Sequence, residues 1–224
     1  MTEMENNIQK NKLNKVWLNV ASSTYVLPDF INLDNHIFIK FKTIFQILKP
    51  FLSTGHVQLA KAYTDAASRA ILLRHDCRKK LKYGDNTVDH ILCSHFLEHV
   101  YLEETKTILA DFYRVLKPGG TLHIIVPDLN KFIYDYLEMG KNGNQYAADE
   151  FIKNSILSKT TRGSLRYRLM EFQGGFGLQH RWMYDRPSMV AHITDIGFEI
   201  DDYLNVPSDE YRKNDDSVHV KAKK

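Results

Sequence analysis

The chain has little that would fix a fold by covalent or metal staples. Its 224 residues contain only two cysteines, Cys77 and Cys93, with no CxxC spacing. This argues against a disulfide framework or a structural zinc knuckle and fits a reducing, cytoplasmic setting. Neither sign of charge dominates: 30 basic residues face 27 acidic ones, for a net charge of +3. That balance disfavours nucleic acid as a partner. No apolar run approaches the roughly 20 residues a membrane-spanning helix needs, so no integral membrane segment is expected. The first residues, MTEMENNIQKNKLNK, are polar and lack the apolar core of a secretion signal. There is no internal repeat and no low-complexity tract. The length suits one α/β domain with a sizeable core.

What is present centres on residues 86–137. Residues 88–93 form a short β-rich run that ends at Ser94. A helical pattern follows, with Ile108, Phe112, Val115 and Leu116 on its apolar side. Lys117-Pro118-Gly119-Gly120 is expected to stop that helix, because Pro cannot extend the hydrogen-bond ladder and Gly tolerates positive φ. Residues 122–126 are a near-continuous apolar run, the pattern of a strand buried on both faces. Strand, helix and strand in this order predict a βαβ unit and a parallel sheet. Ligands bind at the carboxyl ends of such strands, so Ser94-His95 and Pro127-Asp128 are candidate site positions.

The flanks extend this pattern. Residues 1–14 read as a polar tail, and 15–224 as one domain with helical insertions at about 35–71 and 138–177. Residues 15–20 (KVWLNV) are the first strand, leading into Ala21-Ser22-Ser23-Thr24. Residues 30–33 are the second, ending at Asp34. A carboxylate there can accept hydrogen bonds from ribose hydroxyls or cap the following turn. Phe38, Phe41, Ile44, Phe45 and Leu48 recur at helical spacing up to Pro50. That pattern reads as a helix packed on the sheet or, alternatively, a basic amphipathic helix on a membrane surface. Residues 61–70 predict another helix, and residues 71–73 lead towards Asp76. Residues 151–170 have helical apolar spacing with Lys159, Arg162, Arg166 and Arg168, as a lid or as a solvated face. Asp185 is a predicted N-cap with Pro187 in the first turn, and Gly197 closes that helix. Residues 198–203 and 218–222 are predicted strands, the last one at a sheet edge.

Several of these segments resemble the class I S-adenosylmethionine-dependent methyltransferases. VDHILCSHFLEHV and RVLKPGGTLHIIVPDL match that family's strand-4, helix and strand-5 region. LNVASSTYVLPDFINLD is similar to its LNLGCGxxxLPGWINLD pattern, and HRWMYD to its late segment. The resemblance implies a Rossmann-like α/β fold, a mostly parallel sheet with helices on both faces and one late antiparallel strand. It also implies S-adenosyl-L-methionine as cofactor. Asn19, Ala21, Ser22 and Ser23 would contact the methionine part, Asp34 the ribose, Asp76 and Cys77 the adenine, and Ser94 and His95 the sulfonium and acceptor. The chain departs from the pattern at Ala21 and Ser23, where the family has glycine. A Cβ there strains a φ > 0 backbone or blocks close approach.

Methyl transfer from an activated donor needs chiefly orientation. If the acceptor is a hydroxyl, a general base helps, and His95, His180 and Asp128 are the candidates in that order. A sugar or other small molecule of the surface-polysaccharide type is the acceptor that the resemblance favours. One alternative is an inactive, methyltransferase-like binding or scaffold protein. A more remote one is a zinc hydrolase. His95-Phe96-Leu97-Glu98-His99 spells H-x-x-E-H, which on a helix would present two imidazoles to one ion, with Glu171 as a third ligand. The methyltransferase pattern accounts for the same residues without metal, so no metal ligand is expected.

Overall fold

The structure is a computed structural model that describes residues 13–40, 54–159 and 179–224. Its centre is a seven-stranded sheet. In chain order the strands are β1 (Trp17–Val20), β2 (Ile31–Asp34), β3 (Leu72–Arg74), β4 (Val88–Ser94), β5 (Leu116–Pro127), β6 (Glu199–Ile200) and β7 (Ser217–Lys223). The helices are α1 (Ile37–Lys40), α2 (Thr54–Arg69), α3 (Leu102–Val115), α4 (Leu129–Lys141), α5 (Ala147–Asn154) and α6 (Arg186–Thr194). The strands lie in the order β3-β2-β1-β4-β5-β7-β6. β1 to β5 pair in parallel, and β7 runs antiparallel to both β5 and β6. This is the mostly parallel Rossmann-like arrangement expected from the sequence.

The core follows from the apolar patterns. Leu18, Val20, Ile91, Leu122 and Ile124 on the sheet are fully buried together with Leu109, Val115 and Ile193 from the helices. β1 sits between β2 and β4, and the chain order reverses there, which opens a crevice at the carboxyl ends of these strands. Asp185 caps α6 as its sequence suggested. Its carboxylate accepts from the Ser188 amide at 2.9 Å, satisfying a first-turn donor that has no partner within the helix.

Four sequence expectations need correction. Lys117-Pro118-Gly119-Gly120 does end α3, but these residues already belong to β5. Between the pairs Val88–Leu116 and His90–Thr121 the register shifts, and the extra residues bulge out. Gly119 takes φ 76°, and a Cβ on Gly120 would lie 2.9 Å from the Lys117 carbonyl oxygen, so both positions need glycine. Second, β7 is not an edge strand: it inserts between β5 and β6. Third, β6 keeps only Glu199 and Ile200 of the strand expected at 198–203. Fourth, the "apolar" strands β4 and β5 each carry a buried histidine. His90 Nδ1 lies 2.7 Å from Thr121 Oγ1 and its Nε2 2.9 Å from Ser208 Oγ. His123 Nδ1 shares the same hydroxyl at 2.8 Å, and its Nε2 faces His219 Nδ1 at 3.1 Å. This relay anchors the segment between β6 and β7 to the sheet.

Of the expected helix at 38–50, the structure describes only α1. Arg162, Arg166, Arg168 and Glu171 lie outside the described residues. Among the described residues no helix is long and apolar enough to cross a membrane.

Candidate active site

The loop after β1 is built from beneath by two buried asparagines. Asn19 Nδ2 donates to Asn32 Oδ1 at 2.9 Å and to the Tyr25 carbonyl at 3.0 Å. Asn32 in turn donates to the carbonyls of Leu27, Phe30 and Ile71. The side-chain amide of Asn19 therefore holds the loop from beneath. The Ser22 amide is likewise engaged, donating to the Leu33 carbonyl at 2.9 Å.

Ala21 and Ser23 adopt φ 55° and φ 50°. These are the two positions where the resembling family has glycine, so the left-handed backbone persists although the glycines do not. Left-handed geometry costs a residue with a Cβ roughly 1–2 kcal/mol. Such strain persists where the surroundings over-determine it, commonly at functional sites. Asp34 does part of that here. Its carboxylate accepts from the Ser23 amide at 3.0 Å, the His36 amide at 2.8 Å and the Tyr63 hydroxyl at 3.1 Å. Burial, reinforced by the Asp34 charge, raises the Tyr63 phenol well above its ordinary pKa, so it remains a donor. The His36 ring stacks on Tyr63 with centroids 4.4 Å apart.

At the end of β3, Asp76 is clasped by its neighbour: Arg78 Nε and Nη2 each donate to it at 3.0 Å. The guanidinium outweighs partial burial and holds the carboxyl below its usual range. The Cys77 side chain points inward. Burial pushes its thiol up to about 12.

The end of β4 is the most unusual part of the crevice. Ser94 Oγ is buried with no hydrogen-bond partner among the described residues. His95 sits at φ 51° and is followed by a 3₁₀ turn, Leu97–His99. The H-x-x-E-H residues are thus not on an α-helix, and the two imidazoles do not share a helical face as the zinc-hydrolase reading required. Glu98 is 0% exposed, and neither carboxylate oxygen accepts a hydrogen bond from the described residues. A buried, unsolvated carboxylate costs several kcal/mol unless something compensates it. His95 Nδ1 approaches Glu98 Oε1 to 3.2 Å and His99 Nε2 to 3.9 Å. The other face of His95 meets Arg212 Nη1 and Ser217 Oγ, each 3.2 Å from Nε2. Because a guanidinium only donates, Nε2 accepts and the neutral ring carries its proton on Nδ1, towards Glu98.

His180, expected from the late HRWMYD segment, closes the same cluster. Its ring stands edge-on to His99, with centroids 5.0 Å apart, and its Nδ1 has no partner among the described residues. Burial lowers its pKa, with the Glu98 charge pulling the other way. The amides of Arg181 and Trp182 donate to the Glu98 carbonyl at 2.7 and 3.2 Å, so the two segments are fixed together by backbone.

Asp128 stands at the start of α4. It is the N-cap of α4, accepting from the Asn130 amide at 2.9 Å. The structure does not bring its carboxylate into the histidine cluster. Arg212, Ser217 and Tyr63 were missed as site residues. They belong to no motif, and they reach the crevice through contacts distant in sequence.

A parallel sheet with an antiparallel seventh strand inserted beside β5, an acid closing β2 and another two residues beyond β3, has the class I methyltransferase architecture. The comparisons with known proteins agree. A family model described as "Methyltransferase domain" matches residues 42–124, a span that omits the loop after β1 and Asp34. No curated protein matches the chain. Among solved structures, a SAM-dependent methyltransferase from Methanosarcina mazei is 18% identical, with a TM-score of 0.50 over 99% of this chain and 96% of that one. The PH0226 protein from Pyrococcus horikoshii OT3 is 14% identical, with a TM-score of 0.51 over 98% and 84%. A chain of the Haloferax volcanii complex between the Trm112 methyltransferase activator and a methyltransferase is 13% identical, with a TM-score of 0.50 over 98% and 86%. At these identities the solved structures speak for the fold. The domain match adds that residues 42–124 are similar to a methyltransferase domain.

Proposed function

We propose that the chain methylates a hydroxyl group of a small-molecule or sugar acceptor. The observation that carries this is the pairing of His95 with buried Glu98 at the end of β4. A carboxylate 3.2 Å from Nδ1 favours the tautomer protonated there by its charge and leaves Nε2 as the basic atom, as a general base needs. In this reading an acceptor hydroxyl takes the place of Arg212 and Ser217 at Nε2 and gives its proton there.

The residues present fit the donor. The loop after β1 keeps the glycine-type backbone shape at Ala21 and Ser23. Asp34 would meet the ribose, Asp76 and the Cys77 backbone the adenine, and Ser94 Oγ is a buried polar atom without a hydrogen-bond partner among the described residues. When bound, the donor supplies a methyl group already activated on a sulfonium, so orientation is most of what the protein must add. A sugar acceptor is favoured by the aromatic surface beside the cluster. Trp182 is 42% and Tyr101 55% exposed, and the Arg181 guanidinium lies 4.6 Å from the Tyr101 ring centroid. Exposed amphipathic rings suit ligands with both apolar faces and hydroxyls. The two buried free cysteines suit a cytoplasmic setting.

The test is release of S-adenosylhomocysteine with a panel of sugar nucleotides and small hydroxyl compounds. The reading expects at least one productive acceptor and a His95→Gln loss of about 10²–10⁴-fold in kcat. A variant that turns over normally removes His95 from the chemistry. A second reading, a scaffold without turnover, is favoured by Asp34, whose carboxylate is already hydrogen-bonded by Ser23, His36 and Tyr63. Donor binding with no turnover on any acceptor would move the weight to it.

A further inference from the structure

We propose that Glu98, His99 and His180 form a binding site for a divalent first-row transition-metal ion. One ligand atom from each residue lies within 4.8 Å of the others. Around a tetrahedral zinc ion, with bonds of about 2.0–2.2 Å, neighbouring donor atoms stand about 3.4 Å apart. Side-chain adjustments of about 1.5 Å or less would therefore close the site.

Proximity alone would be weak evidence, but two further observations point to a ligand. Glu98 is fully buried, its Oε1 meets only the His95 and His99 rings as ion-pair contacts, and among the described residues neither of its oxygens nor Nδ1 of His180, 6% exposed, has a hydrogen-bond partner. Buried polar atoms normally have partners, and orphans in one place call for an ion or water between them. The His99 ring is also oriented from behind, as metal ligands usually are. His99 Nδ1 lies 3.3 Å from the Gln179 carbonyl, which fixes the proton there and frees Nε2 on the side of Glu98. The His180 amide donates to the Ile156 carbonyl at 3.0 Å, which fixes its backbone.

Two imidazoles and one carboxylate suit Zn²⁺, Mn²⁺, Fe²⁺ or Ni²⁺ better than Mg²⁺, which prefers oxygen ligands. Three protein ligands leave at least one coordination position open, the mark of a site that handles substrate. His99 is about a quarter exposed, which gives the ion a path in. Among the described residues His180 completes the set, in the place that the zinc-hydrolase alternative gave to His95. Binding of the ion stands on the cluster alone. Its use, holding and acidifying an acceptor hydroxyl near His95, rests on the methyltransferase reading.

The full chain, purified without a histidine tag and stripped with a chelator, should be titrated with Zn²⁺ by calorimetry and with Co²⁺ by visible absorption. We expect one equivalent bound, Co²⁺ bands of a low-coordinate N/O site, and at least tenfold weaker binding in Glu98→Gln, His99→Gln and His180→Gln. Wild-type protein that binds neither ion tighter than millimolar, or variants that bind like wild type, would overturn the proposal. Circular dichroism checks folding. If the Glu98 variant does not fold, the partly exposed His99→Gln decides. S-adenosylhomocysteine binding, measured on the same samples, separates the two claims. Nucleoside binding without metal sinks the metal site alone, and metal binding without nucleoside sinks the donor reading alone.

Discussion

Replacing Ala21 by glycine tests whether the loop after β1 retains a glycine-shaped backbone. An ordinary Ala→Gly exchange within a regular element destabilises, by roughly 0.5–1 kcal/mol. Here the sign should change. Ala21 sits at φ 55°, where removing the Cβ relieves roughly 1–2 kcal/mol of left-handed strain. Against this stand about 0.4–1 kcal/mol of extra freedom in the unfolded chain and a fraction of the ~0.8 kcal/mol per buried carbon group, since the Ala21 methyl packs partly on the core. The net is about 0 to +1 kcal/mol, or a rise of up to about 4 °C in Tm for a chain of this size. Ala21→Val should do the opposite and lose about 1–3 kcal/mol, because a β-branched residue is a true outlier at positive φ. Thermal melting followed by circular dichroism measures both, and calorimetric titration with S-adenosylhomocysteine measures the ligand side. The glycine variant should bind more tightly, as should Ser23→Gly, because the backbone can then approach the ligand. A glycine variant that melts more than about 3 °C below wild type, or a valine variant as stable as wild type, would refute the left-handed assignment.

Asp34→Ala removes the acceptor shared by Ser23, His36 and Tyr63 and should weaken donor binding at least several-fold; unchanged affinity in a folded variant would take Asp34 out of the site. Stability should fall as the solution is acidified. Burial and the neighbouring His123 lower His90 to about 3, and burial and His219 lower His123 to about 4. Both folded values lie below the ordinary 6.5, so their contribution is complete above pH 6.5 and is lost as pH falls towards 4 and then 3. By pH 5 each costs about 2 kcal/mol; a denaturation midpoint that does not drop between pH 7 and 5 would contradict the neutral relay. Asp185→Ala, which deletes the N-cap of α6, should cost about 1 kcal/mol in urea denaturation, and an unchanged midpoint would show that the cap is not needed.

What the sequence disclosed and what it hid have physical causes. β1, β2, β4 and α3 were legible because each buries a local pattern, and the ends at Asp34 and Ser94 coincide with strand ends in the structure. The central position of β7 was not legible, since its partners on either side, β5 and β6, are set by long-range pairing. His90 and His123 were hidden inside apolar runs, because their partner, Ser208, lies far along the chain. The same holds at the candidate site. Glu98 and His99 share a visible motif, but their meeting with His180 depends on the sheet bringing distant segments together. The spacing alone pointed to His95 instead, and the left-handed turn at that residue diverts its ring towards Arg212 and Ser217.

The central claim is that this chain holds S-adenosyl-L-methionine across the ends of β1 to β4 although its loop lacks the glycines. Calorimetric titration of the purified chain with S-adenosylmethionine and S-adenosylhomocysteine tests it most directly, with Zn²⁺ both absent and supplied. One site per chain with micromolar affinity for both nucleosides, weakened in Asp34→Ala, is the expected result. A folded protein that binds neither nucleoside, with or without the ion, would contradict it.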